Sequence, residues 1–338
     1  MTVDHKLSFR SDTLADRLVG AAVLAPMSGV TDLGMRRLAM RFGATLVVSE
    51  MVASDQLVTG AEEARLKAEG EGIAPHVVQL AGCRADWLAE AARLAVGSGA
   101  DVIDINMGCP AKRVVGGAAG SALMRDLDHA LGLIEAVVAA VSAPVTVKMR
   151  LGWDDASLNA PELARRAEAA GVAALTIHGR TRQQFYKGTA DWTRIAPSVD
   201  AVSIPVIANG DVDGVTAARQ ALAQSGAAGV MIGRAAVGRP WLVGEIAAAL
   251  AGRTWRPPTL VERGEAAVEH YELLLHLFGR EAGLRHARKH LAAYADHAAA
   301  AGAGLPGAER LALVTSDDPR QVTTLLRRAF APRLADAA

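Results

Sequence analysis

The chain has 338 residues, of which 51% are hydrophobic and 4% aromatic, and this composition is typical of a folded globular protein rather than a disordered one. Its two cysteines cannot build a disulfide framework and have no zinc-ligand spacing around them, so we expect a reducing compartment and no metal. The formal net charge of zero excludes a bulk attraction to nucleic acid, although a local basic face is still allowed. Residues 1–18 lack the apolar core of a signal peptide, and no uncharged apolar run approaches the ~18 residues that cross a bilayer. We therefore expect a cytoplasmic protein without a membrane span.

Eight short apolar segments rich in β-branched residues predict strands at 21–27, 44–51, 76–80, 102–106, 144–150, 174–179, 205–210 and 229–234. Helical patterns alternate with them at 31–42, 54–69, 86–96, 127–141, 161–170, 191–200, 214–224 and 240–251. This alternation indicates parallel βαβ units, and eight units in about 230 residues match the size of a closed (β/α)₈ TIM barrel. An open doubly wound sheet is the alternative, but no G-x-G-x-x-G follows the first strand.

The alternation stops after a diproline at 257–258, and the rest of the chain has helical patterns at 261–279, 281–299 and 319–331. We therefore predict two domains, a barrel over residues 1–252 and a small all-helical domain over residues 253–338. The Ala/Gly-rich segment 296–318 is unlike a tight helical bundle and predicts a flexible loop.

Polar residues or tight turns follow all eight predicted strands, at the barrel end where such folds place their functional sites. They are Pro26-Met27-Ser28, Glu50-Met51, Gln79, Asn106 with Cys109, Lys148 with Arg150, His178 with Arg180, Asn209-Gly210-Asp211, and Gly233-Arg234.

The loops after strands seven and eight are the usual phosphate site of this fold, since backbone N–H groups face the anion there. Gly210 and Gly233 let the backbone approach a ligand closely, and Arg234 offers a positive charge. The alternative is that these are simple turn glycines. The pattern favours a ligand that carries a phosphate.

Lys148 and His178 end neighbouring strands. A lysine in a barrel mouth is costly unless it meets an anionic or electron-rich ligand. A flavin ring, whose N1/O2 edge becomes negative on reduction, is one such ligand, and Schiff-base chemistry is the competing use. Lys148 alone does not decide between them, and His178 has the alternative of a purely structural histidine.

Cys109 lies in a loop between Gly108 and Pro110, three residues after a strand end. A thiol at a barrel mouth is suited to proton transfer or nucleophilic attack, whereas an inert thiol more often packs inside a strand or helix. Cys83 is better explained as structural.

Arg285, Arg288 and Lys289 lie at i, i+3 and i+4 of a predicted helix, and we call these three residues the basic face. We expect His290 and Tyr294 to extend the basic face by another turn. Cations beside an aromatic ring can grip phosphates and stack on bases, while the alternative is an ordinary solvated helix surface.

Seven blocks of the sequence closely resemble the bacterial tRNA-dihydrouridine synthases, and the DusB-like branch is most similar. The resemblance runs from about Val19 to Trp241, with a weaker match in RKH…Y of the tail, where this chain lacks an expected Trp-Tyr pair. The blocks are LAPMSGVTD, SEMV, INMGCPAKRVVGGAAGSALM, VKMRLGWD, TIHGRTRQQFYKG, VIANGDV and MIGRAAVGRPW.

The resemblance implies an FMN-binding barrel followed by a helical tRNA-binding domain. NADPH reduces the FMN, which in turn reduces the C5–C6 double bond of a D-loop uridine. It also implies that Cys109, on a mobile loop, protonates C5, and that Asn106 and Arg150 face the uracil. The implied FMN contacts are Pro26, Met27, Ser28, Gln79, Lys148 and His178 around the ring, and Asn209, Gly210, Asp211, Gly233 and Arg234 at the phosphate.

We further predict tRNA contacts for Arg180, the basic face, His290 and Tyr294, and we expect a monomer. A different flavin barrel acting on a small metabolite, such as a dihydroorotate-type dehydrogenase, is the competing function. It would share the phosphate site and Lys148 but would not need a helical appendix with a basic face. A non-catalytic RNA-binding protein on the same barrel is a third possibility, although it predicts loss of Cys109 or of the phosphate loops, and both are retained.

Overall fold

The computed structural model describes residues 11–331 and shows a closed barrel of eight parallel strands. Each strand pairs with the next along the chain, and β8 pairs with β1 to close the sheet. The predicted (β/α)₈ barrel is therefore confirmed and the open sheet is excluded. The strands are β1 (Ala22–Leu24), β2 (Leu46–Ala53), β3 (Val77–Ala81), β4 (Val102–Met107), β5 (Val145–Arg150), β6 (Ala174–His178), β7 (Val206–Asn209) and β8 (Gly229–Ile232).

Helices cover the outside of the barrel, and the predicted helix 54–69 is divided into two at Gly60, whose φ is +76°. Short 3₁₀ helices at 120–125, 193–195 and 234–236 add to the connections. The α-helices up to the last strand and just beyond it are α1 (Ser11–Leu18), α2 (Leu33–Arg41), α3 (Ser54–Val58), α4 (Glu62–Ala68), α5 (Ala85–Gly97), α6 (Lys112–Gly116), α7 (Leu127–Ala140), α8 (Ala160–Ala169), α9 (Ala196–Asp200), α10 (Val215–Ser225) and α11 (Trp241–Leu250).

The amino-terminal end of the barrel is sealed by α1, which the sequence analysis did not predict. Leu14 and Leu18 are four residues apart and therefore lie on one helix face. Both are buried against the first residues of the strands, among them Leu46, Val77 and Val102. α1 therefore closes this end of the barrel. The polar residues lie at the opposite end, at the carboxyl ends of the strands, and line a cavity there.

Three helices follow the barrel: α12 (Leu260–Ala300), α13 (Gly307–Thr315) and α14 (Pro319–Ala329). α12 is kinked at Gly279, where φ is +70° and ψ is 171°, so it consists of an N-terminal arm (260–278) and a C-terminal arm (280–300). This agrees with the predicted helices 261–279 and 281–299. None of the helices within residues 11–331 is both long and apolar enough to span a membrane.

The prediction of a flexible loop over 296–318 is wrong. The C-terminal arm of α12 continues to Ala300, and α13 forms within the segment because Leu313 is fully buried in a second apolar cluster with Ala298 and Leu326. Trp241 of α11 also belongs to this cluster, so the helices pack directly on the barrel. The division at residue 252 into two domains stays a prediction.

The contact between α11 and the end of α2 leaves no room for a side chain at Gly244. A Cβ there would lie only 1.8 Å from the Phe42 carbonyl oxygen. Gly244→Ala should therefore lower the free energy of unfolding by about 1–3 kcal/mol through overpacking. Gly132→Ala, on the exposed side of α7 with no atom within 4 Å, should raise it by about 0.5–1 kcal/mol. Urea unfolding of both variants measures the difference, and equal effects at the two positions would contradict the tight contact.

Candidate active site

A cavity of about 930 Å³ opens at the carboxyl ends of the strands. The structure brings together here every residue predicted to bind the cofactor and also Asn106, Cys109, Arg150 and Arg180. The predicted cofactor residues that line it are Pro26, Met27, Ser28, Gln79, Lys148, His178, Asn209, Gly210, Asp211, Gly233 and Arg234. The basic face, His290 and Tyr294 lie outside the cavity lining.

The turns after β7 and β8 differ in their need for glycine. Gly210 has a φ of +113°, and a Cβ there would lie 2.7 Å from Ala190 Cβ and 2.9 Å from His178 Cδ2. Glycine is therefore required so that the turn can pack against the histidine ring. A Cβ at Gly233 would meet nothing closer than Met27 Sδ at 3.8 Å, so the space above the β8 turn is open to a ligand.

Positive charge exceeds negative charge at the cavity, which is lined by Lys148, Arg150, Arg180 and Arg234 but by few acidic groups. The Asp211 carboxylate accepts two hydrogen bonds from Arg180, at 2.5 and 3.0 Å, and one from Arg234 at 3.3 Å. These hydrogen bonds give the Asp211 carboxylate a role in orienting Arg180 and Arg234, and the predicted contribution of Asp211 to a phosphate site stays a prediction. The remaining positive charge suits an anionic ligand.

Lys148 is held in the cavity by Asn209. Lys148 Nζ donates to Asn209 Oδ1 at 3.0 Å, and Asn209 Nδ2 donates to the Met231 carbonyl at 2.9 Å, which fixes the orientation of the amide. Burial, together with the charge of Arg150, lowers the pKa of Lys148 to about 8. A negative group on the ligand would offset both effects and favour the charged ammonium.

His178 is neutral at physiological pH. Burial, followed by the positive charges of Arg150 and Lys148, holds its pKa well below the usual value of 6.5. Arg180 Nη1 lies 3.2 Å from His178 Nε2, and because a guanidinium only donates hydrogen bonds, Nε2 must accept. The ring proton is therefore on Nδ1, which is available as a donor to a ligand.

A chain of hydrogen bonds in the barrel interior orients the cysteine loop, and its first member, Asp104, was not predicted. Asp104 Oδ2 accepts from Gln79 Nε2 at 2.6 Å, and Gln79 Oε1 accepts from Asn106 Nδ2 at 2.8 Å. Asn106 Oδ1 in turn accepts from the Cys109 amide at 3.0 Å. The carboxylate therefore fixes which way both side-chain amides point. The signal in the sequence is the two-residue spacing from Asp104 to Asn106, which places both on one face of β4.

Hydrogen bonds from two neighbouring elements hold the loop that carries Cys109, and the expected mobility of this loop stays a prediction. Ser121 donates to the Cys109 carbonyl from its backbone N–H at 3.0 Å and from its hydroxyl at 2.9 Å. Arg150 Nε donates to the Gly108 carbonyl at 2.8 Å. Gly120, with a φ of +59°, permits the close packing, because a Cβ there would lie 2.8 Å from the Cys109 carbonyl oxygen.

Arg150 does more than face the cavity as predicted. Besides its bond to the cysteine loop, its Nη1 donates to the carbonyls of Thr181 and Phe185, both at 2.9 Å. The guanidinium thus joins the loop after β4 to the loop after β6. The predicted uracil contact of Arg150 stays a prediction, and the structure adds this positioning role.

Tyr186 is a cavity residue that the sequence analysis missed, although the sequence QQFYKG contains its aromatic pair. Its ring lies between the guanidinium groups of Arg150, at 5.6 Å, and Arg234, at 5.3 Å. Phe185 packs against it edge to face, with a ring separation of 4.8 Å. Tyr186 is 47% exposed, so it offers an aromatic surface at the cavity mouth.

The basic face is exposed on the C-terminal arm of α12, but His290 and Tyr294 do not extend it. Both are buried, at 2% and 1% exposure. The prediction that they contact tRNA from this face is wrong because His290 is five residues after Arg285, which places it about 140° around the helix. Arg288 is also 3.5 Å from Asp317, which leaves Arg285 and Lys289 as the more available cations.

A closed parallel barrel with a polar cavity at the carboxyl ends of its strands is the architecture of a (β/α)₈ enzyme. The chain belongs to the dihydrouridine synthase (Dus) family, whose sequence pattern it matches over residues 23–305. It is 55% identical to a "Probable tRNA-dihydrouridine synthase" of Rhizobium leguminosarum bv. phaseoli, over 91% of this chain and 94% of the relative. It is 50% identical to "tRNA-dihydrouridine synthase B" of Xanthomonas campestris pv. campestris, over 81% of this chain and 84% of the relative.

Among solved structures, the chain is similar to a 2-naphthoyl-CoA reductase complex with a TM-score of 0.52 and 13% identity. The similarity covers 69% of this chain and 50% of that one, and it shows a shared fold alone.

The neutral state of His178 predicts a pH dependence of stability. Because its folded pKa lies below the unfolded value of about 6.5, the unfolded chain binds more protons below that pH, and the free energy of unfolding falls as the solution is acidified. His178→Gln should reduce this fall by up to about 1.4 kcal/mol per pH unit. Urea unfolding from about pH 5 to about pH 7 measures the slope. The exposed His129→Gln is the control, and equal slopes in the two variants would contradict a neutral buried His178.

Proposed function

We propose that the protein is an FMN-dependent tRNA-dihydrouridine synthase that uses NADPH to reduce the C5–C6 double bond of a D-loop uridine. The observation that carries this proposal is the juxtaposition of a positively charged cavity with a fixed cysteine in one barrel mouth. The names of the relatives from Rhizobium and Xanthomonas support tRNA as the substrate. A cytoplasmic location and a monomeric state stay predictions.

The cavity residues fit FMN in two regions. Arg234 and the open turn at Gly233 would hold the phosphate, since a Cβ at Gly233 has no protein atom within 3.7 Å and Arg234 retains a cation there. Lys148 and His178 would lie along the ring, with the ammonium and the Nδ1–H as donors to its electron-rich edge. The lowered pKa of Lys148, caused by burial and Arg150, is the expected property of a lysine that awaits an anionic partner.

FMN, when bound and reduced by NADPH, would supply a hydride to uracil C6. Cys109 donates its thiol proton to C5, so that one hydride and one proton saturate the double bond, and the thiolate recovers a proton from solvent. Asn106 positions this thiol, because its Oδ1 accepts from the Cys109 amide. Tyr186 and Arg150 line the cavity through which the base would enter.

A uridine in folded tRNA reaches such a cavity only if the base is turned out of its stack. The phosphates around it then need cations outside the cavity, and the basic face supplies them on the C-terminal arm of α12. Lys112 and Arg113 on α6 add exposed cations directly after the cysteine loop. Cations on α6 and on α12, in addition to those of the cavity, favour an RNA substrate over a small metabolite.

The cofactor assignment is tested on the purified protein. We expect one non-covalent FMN per chain, released by heat and identified by chromatography and absorbance. Lys148→Met should weaken FMN binding, while Lys187→Met, on the exposed part of the loop after β6, should not. FAD, pyridoxal phosphate or no chromophore in a folded sample would overturn the flavin assignment.

Cys109→Ala should leave FMN content and NADPH oxidation intact, because the thiol acts only on the uracil. Conversion of uridine in tRNA should fall by roughly 10²–10⁴-fold, the usual contribution of a positioned general acid. Single-turnover assays with pre-reduced enzyme measure the rate, with Cys83→Ala as a matched control outside the cavity. A wild-type rate in Cys109→Ala would exclude it as the acid.

The basic face should control the salt dependence of tRNA binding. Arg285→Ala/Lys289→Ala should flatten the slope of log affinity against log salt by one to two units, at about 0.7–0.9 per lost phosphate contact. Arg165→Ala/Arg219→Ala, on the exposed sides of α8 and α10, should leave the slope unchanged. Filter binding over a salt series gives both slopes, and parallel lines for all three proteins would remove the basic face from the RNA-binding surface.

A further inference from the structure

Three buried polar side chains meet between the barrel and α12, outside the cavity. Asp32 begins α2, His270 lies on the N-terminal arm of α12, and His290 lies on the C-terminal arm. His270 Nε2 donates to both Asp32 oxygens, each at 3.1 Å, and His290 Nε2 is 3.6 Å from Asp32 Oδ2. Tyr294 of the C-terminal arm shares a 3.0 Å hydrogen bond with His270 Nδ1. One carboxylate therefore contacts both arms of the kinked helix.

The members of the cluster differ in how well they are satisfied: Asp32 is stabilised by its partners, whereas His290 is not. Burial acts to raise the pKa of Asp32, but the positive charge and hydrogen bond of His270 outweigh it and hold that pKa below its usual range. Burial, followed by the charge of His270, lowers the pKa of His290 to about 3, so this ring is neutral. Neither ring nitrogen of His290 has a hydrogen-bond partner of normal geometry among residues 11–331. Buried polar groups that add little stability can instead specify one arrangement of the packed elements.

The cluster connects the cavity rim to the basic face. Asp32 directly follows the loop 26–31, whose first residues line the cavity. In that loop Gly29, with a φ of +70°, lies against Lys289, since a Cβ there would be 2.7 Å from Lys289 Nζ. Gly34 allows the approach, because a Cβ there would be 2.8 Å from His270 Cδ2. Lys289 directly precedes His290, so a cation of the basic face that lies against the loop 26–31 is adjacent in sequence to a member of the cluster.

A divalent cation is the other chemistry that this cluster suggests, because one ligand atom from each of Asp32, His270 and His290 lies within 4.8 Å of the others. The contacts favour the cation-free arrangement. Both ring nitrogens of His270 are engaged, by Asp32 and Tyr294, and Asp32 Oδ1 also accepts from the Met35 amide at 3.1 Å. The buried Arg36 guanidinium interacts with the same carboxylate and already supplies positive charge.

We propose that Asp32 is a positioning residue that, through His270 and His290, holds the two arms of α12 and the basic face in a fixed place relative to the cavity. This inference rests on the proposed function, because the held surface is the one that binds tRNA. Loss of the contacts between Asp32 and the two histidines would leave the phosphate contacts available, but it would let the tRNA bind in more than one position relative to the cavity. Fewer complexes then present the uridine to Cys109, and a displacement of about 1 Å at a reacting centre costs on the order of 10²-fold in rate.

The test compares Asp32→Asn with Asp126→Asn. Asp126 is the exposed cap of α7, where it accepts from the His129 amide at 3.0 Å, so both variants keep a capping side chain and lose one charge. We expect Asp32→Asn to retain FMN, NADPH oxidation and the salt slope of tRNA binding, while the single-turnover rate on tRNA falls about 10–100-fold. Mass spectrometry should also find dihydrouridine spread over neighbouring D-loop positions. Asp126→Asn should match the wild type in every measurement.

His290→Gln is the second variant, because it removes the ring without leaving a new buried charge, and it should show the same loss on tRNA. Equal tRNA rates in Asp32→Asn, His290→Gln and Asp126→Asn would overturn the proposal. So would one equivalent of divalent metal per chain, measured by elemental analysis of untagged protein and absent from Asp32→Asn, since the cluster would then be a metal centre. If the wild type forms no dihydrouridine at all, the proposed function fails, and that outcome is separate from a wild type that is active beside an unaffected Asp32→Asn.

Discussion

The structure of the site depends on positively charged side chains that are partly buried at the mouth of the barrel. Lys148, Arg150, Arg180 and Arg234 line one cavity, and Asp211 offsets part of their charge through Arg180 and Arg234. Burial and Arg150 lower the pKa of Lys148 to about 8, which disfavours its charged form by on the order of 3 kcal/mol relative to water. Such an arrangement favours an anionic ligand over a neutral one.

A second constraint is the direction of the hydrogen bonds beneath that charge. As a carboxylate, Asp104 accepts from the Gln79 NH₂ group, which turns the Gln79 oxygen toward Asn106. Asn106 is then forced to present its oxygen to the Cys109 amide. A carboxylate two residues below the strand end thus determines the orientation of a loop that it does not touch. The loop of Cys109 is therefore held by hydrogen bonds that start inside the barrel.

The sequence predicted the positions that depend on strand ends and missed those that depend on packing between elements. Lys148, His178 and Asn209 were predicted because parallel strands must bring their carboxyl ends to one edge. The sequence does not single out Asp104, because this carboxylate lies inside an apolar segment that predicts a strand. The Ala and Gly content of the segment 296–318 predicts a loop. Leu313 is instead buried by α14 and the C-terminal arm of α12, and this is a tertiary effect that local composition does not indicate.

Helix α12 is a second case in which the sequence pattern does not predict how an element packs. Spacing along a helix tells which residues share a face, but it does not tell which face meets the barrel. His290 and Tyr294 share a face with each other, at i and i+4, and that face docks, while Arg285 and Lys289 stay in solvent. Where this face meets the barrel it carries polar groups instead of an apolar stripe. These groups contact Asp32, the capping residue of α2. A capping carboxylate at the start of a barrel helix needs a donor if another helix covers it, and His270 meets that need.

Arg150 contributes both to the charge of the cavity and to the geometry of the loops around it. Its Nε holds the Gly108 carbonyl and its Nη1 holds the loop that contains Phe185. The same guanidinium, after burial, lowers the pKa of both Lys148 and His178. Removing it would take one hydrogen bond from the cysteine loop, raise the pKa of two cavity groups and remove one of the two cations beside Tyr186. An effect of an Arg150 substitution on catalysis therefore cannot be assigned to a lost substrate contact unless the protonation of Lys148 and the position of Cys109 are measured in the same variant.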